Sequence, residues 1–554
     1  MTSLPPKADL GHLKKQAKAL LRLYRRHDPA AIARFAAHLP AAAHRSADDI
    51  AARPFRLHDA QSCIAREYGF PSWGDLALHV AAAAFAGDDQ GDHVRRWLAL
   101  VYGGTVTGSY DSPKPSLAAH LWNQQRDRFG EDVSVACAVG DAGLVARAIS
   151  ADPDWINRPF GWFKLPPLVA VTHSGLGALP AFLLRLRACA QVLLRAGADP
   201  NQRIFIRYPP ASLDAPDENG PLSALYGAAG FNRDPILTEL LLDAGADPND
   251  GESLYHSLER PNCTRLLLRR GARIAGTNAL RRSLDMKDAE ALELLLAHGA
   301  DPNEAPPQGP TRPWGAPLPR AIAVRCSARH IAALLGAGAD PRAQTSDGVS
   351  AYRLAVRAGL VDVAELLRAA GAAETLTPED AFIAACSRGD LTEARRVRGQ
   401  HPELPGSLPA AQLRLLPDAA AWGSLEAVKT MVACGWPLSA QGGDWNATAL
   451  NHAVMRGDAN LTRFLLAHGA SWRERHGYGG DVLGTLSWAS INEPTHTVDE
   501  PDWAGCARAL VESGLPEVSP DPADAERLVI DGQSLRFSEE VAEALLGRGA
   551  MRAP

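Results

Sequence analysis

The sequence predicts an all-α solenoid of about twelve degenerate helix-turn-helix units, preceded by a small helical domain. A phrase recurring in register and a helical pair before each copy carry that expectation, and the composition supports it. The phrase Leu-Leu-x-x-Gly-Ala-Asp-Pro-Asn stands at Leu193–Asn201, Leu241–Asn249 and Leu295–Asn303. Shortened forms stand at Leu267–Ala272, Leu334–Pro341, Leu465–Ala470 and Leu545–Ala550. Units of this size cannot bury an apolar face alone, so they must stack on one another. A chain of 554 residues exceeds one compact core, a limit that stacking removes. It is 46% hydrophobic with only 6% aromatics, and its alanine and leucine favour helix over strand.

Residues 1–86 are expected to form the helical domain. LGHLKKQAKALLRLYRRHDPAAIARFAAHLP predicts two helices, with Asp28 and Pro29 as N-cap and first turn of the second. Arg66–Val80 supplies a third, capped by Ser72. In the first helix Lys14, Lys15, Lys18, Arg22, Arg25 and Arg26 oppose Leu10, Leu13, Ala17, Leu20 and Tyr24. Such a helix either binds phosphates or an anionic surface, or docks its apolar face on a domain with its charges solvated. The normal exposure of Lys and Arg favours docking. Residues 87–130, rich in Gly, Ser, Asp and Pro, read as a linker with helical segments, and 131–554 as the array.

Within the array, Thr448–Ala470 shows the unit most plainly. One helix runs through Ala449–Met455 and stops near Gly457; a second, with Leu461, Phe464 and Leu465 on one stripe, runs to His468. Gly469 then suits the left-handed position that closes a helix. Closing glycines recur near one period, with Gly338 to Gly371 spanning 33 residues and Gly435 to Gly469 spanning 34. Three inserts interrupt the short connections: Gln202–Gly220, Glu304–Pro317 and Ser490–Pro501. Loops of that length are often functional.

On these residues the array resembles ankyrin repeats. Ser350–Gly371 and Thr448–Gly469 match that family's two antiparallel helices, its GH/GD-type turn and its GAD-type exit. The family's TPLH tetrapeptide is eroded to TALN, SALY and SAYR, which leaves helix packing to hold most units. The LKKQAK and EYGFPSW segments resemble a helical leader found before the repeats in a group of bacterial ankyrin proteins. The resemblance implies a protein partner bound on the concave surface and loops of the array.

Other function classes find less support. No HExxH, GxxxxGK[ST], GxSxG or dinucleotide GxGxxG after a strand is present. An activity seated in the first 130 residues is the enzymatic alternative, and export as a host-directed effector is another; neither has a marking motif. The eight cysteines lie singly, without CxxC spacing, and read as reduced core thiols of a reducing compartment. The 17 histidines offer no metal-ligand spacing, so no metal or cofactor is expected. A net charge of −6 gives no broad nucleic-acid-binding field. Neither a Sec signal nor a membrane span is read, so a cytoplasmic protein is expected, with specialised export left open; its oligomeric state stays open, a monomer being the favoured reading.

Candidate partner-binding residues come from the turns and inserts. Arg325, Arg357, Arg388, Arg456 and Arg536 align at or next to the end of the first helix, with Trp422 at that place in one unit. Either these arginines line a groove suited to an acidic partner segment, or they decorate solvent. Phe205, Arg207, Tyr208 and Trp314 on the inserts are further contacts, with local packing as the alternative.

Overall fold

The computed structural model describes residues 4–5, 8–85, 90–304, 315–492, 494, 497–524 and 526–547. Its contacts divide the chain into two compact units, Met1–Ser283 with Ala297–Gly299, and Leu284–Leu296 with Ala300–Pro554.

In the first unit, α1 (Leu10–Arg25), α2 (Pro29–His38), α3 (Ala47–Ala51), α4 (Leu57–Glu67) and α5 (Trp73–Phe85) surround one core. Asp9, Asp28 and Ser46 cap the first three by accepting backbone N–H bonds. The apolar face of α1, with Leu13, Ala17, Leu20 and Tyr24, is buried against α2 and α4. The Tyr24 hydroxyl donates to the Arg53 carbonyl at 2.7 Å, which satisfies a polar group inside that core. Lys14, Lys15, Arg25 and Arg26 are exposed on the opposite side, as a docked amphipathic helix requires.

The segment between domain and array carries α6 (Gln90–Tyr102), α7 (Gly104–Thr107) and α8 (Pro115–Gln124). Trp97 is fully buried and its Nε1 donates to Ala118 O at 2.9 Å, while the Tyr102 hydroxyl donates to Ala170 O at 2.9 Å. These aromatics give a segment rich in loop-forming residues a packed face against the first helix pairs.

Paired helices follow in chain order. In the first unit they are α9 (Val133–Val139) with α10 (Ala142–Ala151), α11 (Pro167–Thr172) with α12 (Pro180–Arg195), α13 (Ala224–Tyr226) with α14 (Pro235–Asp243), and α15 (Ser253–Ser257) with α16 (Pro261–Arg269). The division between the units falls within α17 (Ala279–Asp285) and α18 (Ala289–Ala297). The second unit continues with α19 (Pro317–Ala323) and α20 (Ala328–Gly336), α21 (Ala351–Arg357) and α22 (Val361–Ala369), and α23 (Pro378–Arg388) and α24 (Leu391–Gln400). After the short α25 (Ala410–Leu413) come α26 (Leu415–Ala421) with α27 (Leu425–Ala433), α28 (Ala449–Met455) with α29 (Ala459–Ala467), α30 (Val482–Asn492) with α31 (Trp503–Glu512), and a last helix α32 (Glu539–Leu545).

The recurring phrase has a physical cause beyond its closing glycine. Asn303 Nδ2 donates to Gly338 O at 2.9 Å, and its Oδ1 accepts the Asp340 N–H at 2.8 Å. Asn201 makes the same pair of bonds to Gly245 and Asp247 in the first unit. Each asparagine thus ties its exit loop to the next copy of the phrase, satisfying backbone groups that the helix ends leave open.

Among the described residues, sheet is confined to three short antiparallel ribbons between helices. β1 (Arg203–Ile206) pairs with β2 (Asp217–Ser223), with Arg203 opposite Ser223. β3 (Gln441–Gly442) pairs with β4 (Ala447–Thr448), and β5 (Val518–Pro520), β6 (Arg527–Ile530) and β7 (Gln533–Arg536) form the third. From Phe382 onward, the second unit's pairs share a core that includes Leu416, Val428, Leu461 and Leu465. All eight cysteines are buried as free thiols.

Candidate functional site

A groove of about 560 Å³ opens in the second unit along the ends of its first helices. Its walls come from the end of α19, the connection 345–349, the end of α21, and the segment 409–422 that carries α25 and α26. The helix packing explains the opening. α23 packs on α24 and α27, while α26 packs on α27 and α28, so the approach from α23 to the next pair runs through its second helix. Ile322, Val349, Leu354, Leu415 and Met431 make the groove apolar.

Trp422 stands at the groove with 45% of its surface exposed. Lys287 Nζ lies 4.6 Å from the centre of its ring, a favourable cation–π distance. Lys287 belongs to the turn after α17, four helix pairs before the turn that holds Trp422. The row of turns therefore curves tightly enough for its two ends to meet across the groove.

The arginines aligned by sequence have different roles. Arg325 lines the groove, half-buried, and its Nη1 donates to Ala358 O at 3.1 Å. Among the described residues no carboxylate pairs with it, and burial pushes its guanidinium below the ordinary range. Its backbone is left-handed at φ +57°, as is that of Lys287 at +54°. At the corresponding turns of later pairs stand Gly359, Gly389, Gly423 and Gly457, at φ +68° to +76°. A non-glycine residue there costs roughly 1–2 kcal/mol because its Cβ crowds the following carbonyl.

Arg357 is locked instead. Its Nε meets Asp380 Oδ1 at 2.6 Å, Arg353 Nε lies 3.0 Å from Oδ2, and the carboxylate is fully buried. Arg456 Nη1 donates to Ala421 O at 3.0 Å, and its Nη2 lies 2.5 Å from where a Cβ on Gly423 would be. Ser387 Oγ likewise donates to Arg357 O at 2.6 Å. The arginine recurrence is thus partly a capping device: a donor from one pair satisfies the last carbonyls of a neighbouring pair's first helix. Arg388 is exposed at the end of α23. Arg536 corrects the alignment: it ends strand β7, where it pairs with Glu526, because the residues before α32 form a hairpin instead of a helix.

The insert residues separate in the same way. Arg207 is buried, and its guanidinium donates to Val106 O at 3.0 Å and to the carbonyls of Phe163 and Lys164. It pins loops of the first unit together, which removes it from the contact set. Tyr208 is exposed, its ring 5.4 Å from that of Tyr110, and Phe205 is half-buried on β1. Trp314 lies outside the described residues. Among the described residues no group of three or more His, Cys, Asp or Glu is placed to hold a metal ion, and no helix is long and apolar enough to cross a membrane.

The model of ankyrin repeats occurring in many copies matches residues 416–480, which run from α26 through α29 into the following loop. The chain carries ankyrin repeats, and its helix pairs form the solenoid that such repeats build. Among solved structures, an ankyrin repeat domain from Acinetobacter baumannii is 26% identical, covers 28% of this chain and 85% of its own, and has a TM-score of 0.25. The human ASB11 ankyrin repeat domain is 19% identical over 43% of this chain and 98% of its own, with a TM-score of 0.21. The ankyrin repeat domain of Bcl-3 is 19% identical over 49% and 99%, with a TM-score of 0.22. These superpositions are poor, and the fold assignment rests on the family match and the repeat geometry. No curated protein matches the sequence. Ankyrin repeats generally mediate protein–protein interaction.

Proposed function

We propose that the chain is a non-enzymatic binding protein whose partner protein seats in the groove of the second unit. The observation that carries this is Trp422, a large aromatic side chain left 45% exposed beside an apolar groove. Tryptophan is enriched among the residues that dominate binding energy, and an exposed one at an apolar cleft is a ready anchor. The carboxylates at and near the groove are engaged: Asp418 by the Gly443 N–H and Arg414, Asp347 by the Thr345 hydroxyl, and Asp380 by two arginines. That arrangement suits a fixed recognition surface better than proton transfer. The eight buried thiols support work in a reducing compartment.

Affinity capture with the full chain from its native organism, followed by mass spectrometry, tests the proposal. A partner retained by the wild type and lost from Trp422→Ala at unchanged melting temperature supports it. Equal retention by both chains overturns the assignment of the groove.

A further inference from the structure

The five aligned arginines do not act as one stripe, and the charge that the fold leaves uncompensated in the groove points to a narrower recognition chemistry. We infer that the groove takes a partner segment in which an apolar side chain lies close to a carboxylate, the apolar group resting on Trp422 and the carboxylate on Arg325. This rests on the groove being the partner's seat.

Three observations lead there. Arg357 and Arg414 already face Asp380 and Asp418, at 2.6 and 3.2 Å, so neither cation needs a further acid. Arg325 has one carbonyl, Ala358 O, and among the described residues no carboxylate. A half-buried guanidinium in that state binds an incoming carboxylate strongly, because the pair forms away from bulk water and its planar fork can hold both oxygens. Lys287 adds a second cation at the mouth, held over the face of Trp422.

The second observation is backbone strain. Arg325 occupies a left-handed turn at φ +57°, where Gly359, Gly389, Gly423 and Gly457 serve the later pairs. Glycine would hold the same turn without strain, so Arg325, like Lys287 in the preceding pair, stands there at a local cost. Conformations of that kind cluster where the side chain has a use. Third, Ile322, Val349, Leu415 and Met431 line the groove and favour an apolar side chain from the partner. Its volume of about 560 Å³ falls in the range of clefts that take a ligand group.

A phage-displayed library of random heptapeptides, panned on the full chain, tests this. Peptides enriched on the wild type and lost on Trp422→Ala are expected to carry an aromatic or aliphatic residue within two positions of Asp or Glu. Fluorescein-labelled versions should bind Arg325→Gly at least tenfold more weakly at an unchanged melting temperature. Exchanging the peptide's acid for its amide should cost the same factor on the wild type and nothing further on the variant. Arg325→Gln provides the same comparison if the glycine variant folds poorly. Trp422-dependent peptides without an acid, or an acid whose loss costs equally on both chains, overturn the carboxylate assignment and leave the groove standing. Absence of any Trp422-dependent enrichment overturns both.

Discussion

Arg325 stands two residues beyond the first helix of one pair and Arg357 ends the first helix of the next, and the fold treats them in opposite ways. Arg357 keeps a helical backbone, hands the turn to Gly359 and is neutralised by a buried carboxylate. Arg325 takes the left-handed turn itself and faces the groove with a single carbonyl as partner. The first arrangement makes the pair-to-pair contact rigid. The second leaves a strained cation without a carboxylate partner, among the described residues, in the wall of the groove. The same residue type near the end of successive first helices is thus held by an acid in one repeat and left without one in the repeat before it.

The largest expected effect lies on the locked side. Asp380→Ala removes the acid from between Arg353 and Arg357 and leaves the poorly solvated Arg357 without it while Arg353 keeps only Glu374 at 3.6 Å, so stability should fall by about 3–5 kcal/mol in a denaturant titration. A loss below about 1 kcal/mol would place Arg357 in the same class as Arg325 and dissolve the contrast.

A buried base without an acid should resemble Arg325 in resisting charge, and His173 in the first unit provides that case. Burial pushes its imidazole down to about 4 from the ordinary 6.5, and its Nε2 has no hydrogen-bond partner among the described residues. The unfolded chain binds this proton more readily than the folded one. The stabilising contribution is thus complete above about pH 6.5 and is lost as pH falls toward about 4, by up to roughly 3 kcal/mol. His173→Phe should flatten that part of the stability profile; an unchanged slope would mean that other groups control it.

The smallest effects separate the two turns directly. Gly359→Ala places a Cβ 3.1 Å from the Ser387 backbone at φ +70° and should cost about 1–2 kcal/mol. Arg325→Gly relieves strain while losing one hydrogen bond, so its stability should stay within about 1 kcal/mol of the wild type. Paired thermal melts measure both. Equal losses at the two positions would show that Arg325 is a structural residue like its neighbour.

The sequence made the stacked helix pairs legible because their signals are local. The stripe of Leu461 and Leu465 is buried as its spacing implies, and Gly469 closes its helix at φ +95°. What stayed hidden depends on neighbours distant in sequence. The clamp from Asn303 to Gly338 and Asp340 joins residues at least 35 positions apart, so the phrase could be counted without its purpose being seen. The same holds for the site. Trp422 was marked by its place at a turn, but its contact with Lys287 depends on the curvature of four successive pairs. Arg207 reads in the sequence as an insert residue that either meets a partner or packs locally, and the carbonyls that bury it come from α7 and from Phe163 and Lys164. Arg536 was aligned to a helix end, and only the pairing of β6 with β7 shows it to be on a strand.

Hydrogen–deuterium exchange on the full chain, with and without its captured partner protein, tests the central claim most directly. Added protection is expected at the turn containing Arg325, at 345–349 and through 409–422, with the first unit's segments 103–113 and 203–215 unchanged. Protection confined to those loops, or to α1, with the groove segments unaffected, would contradict it.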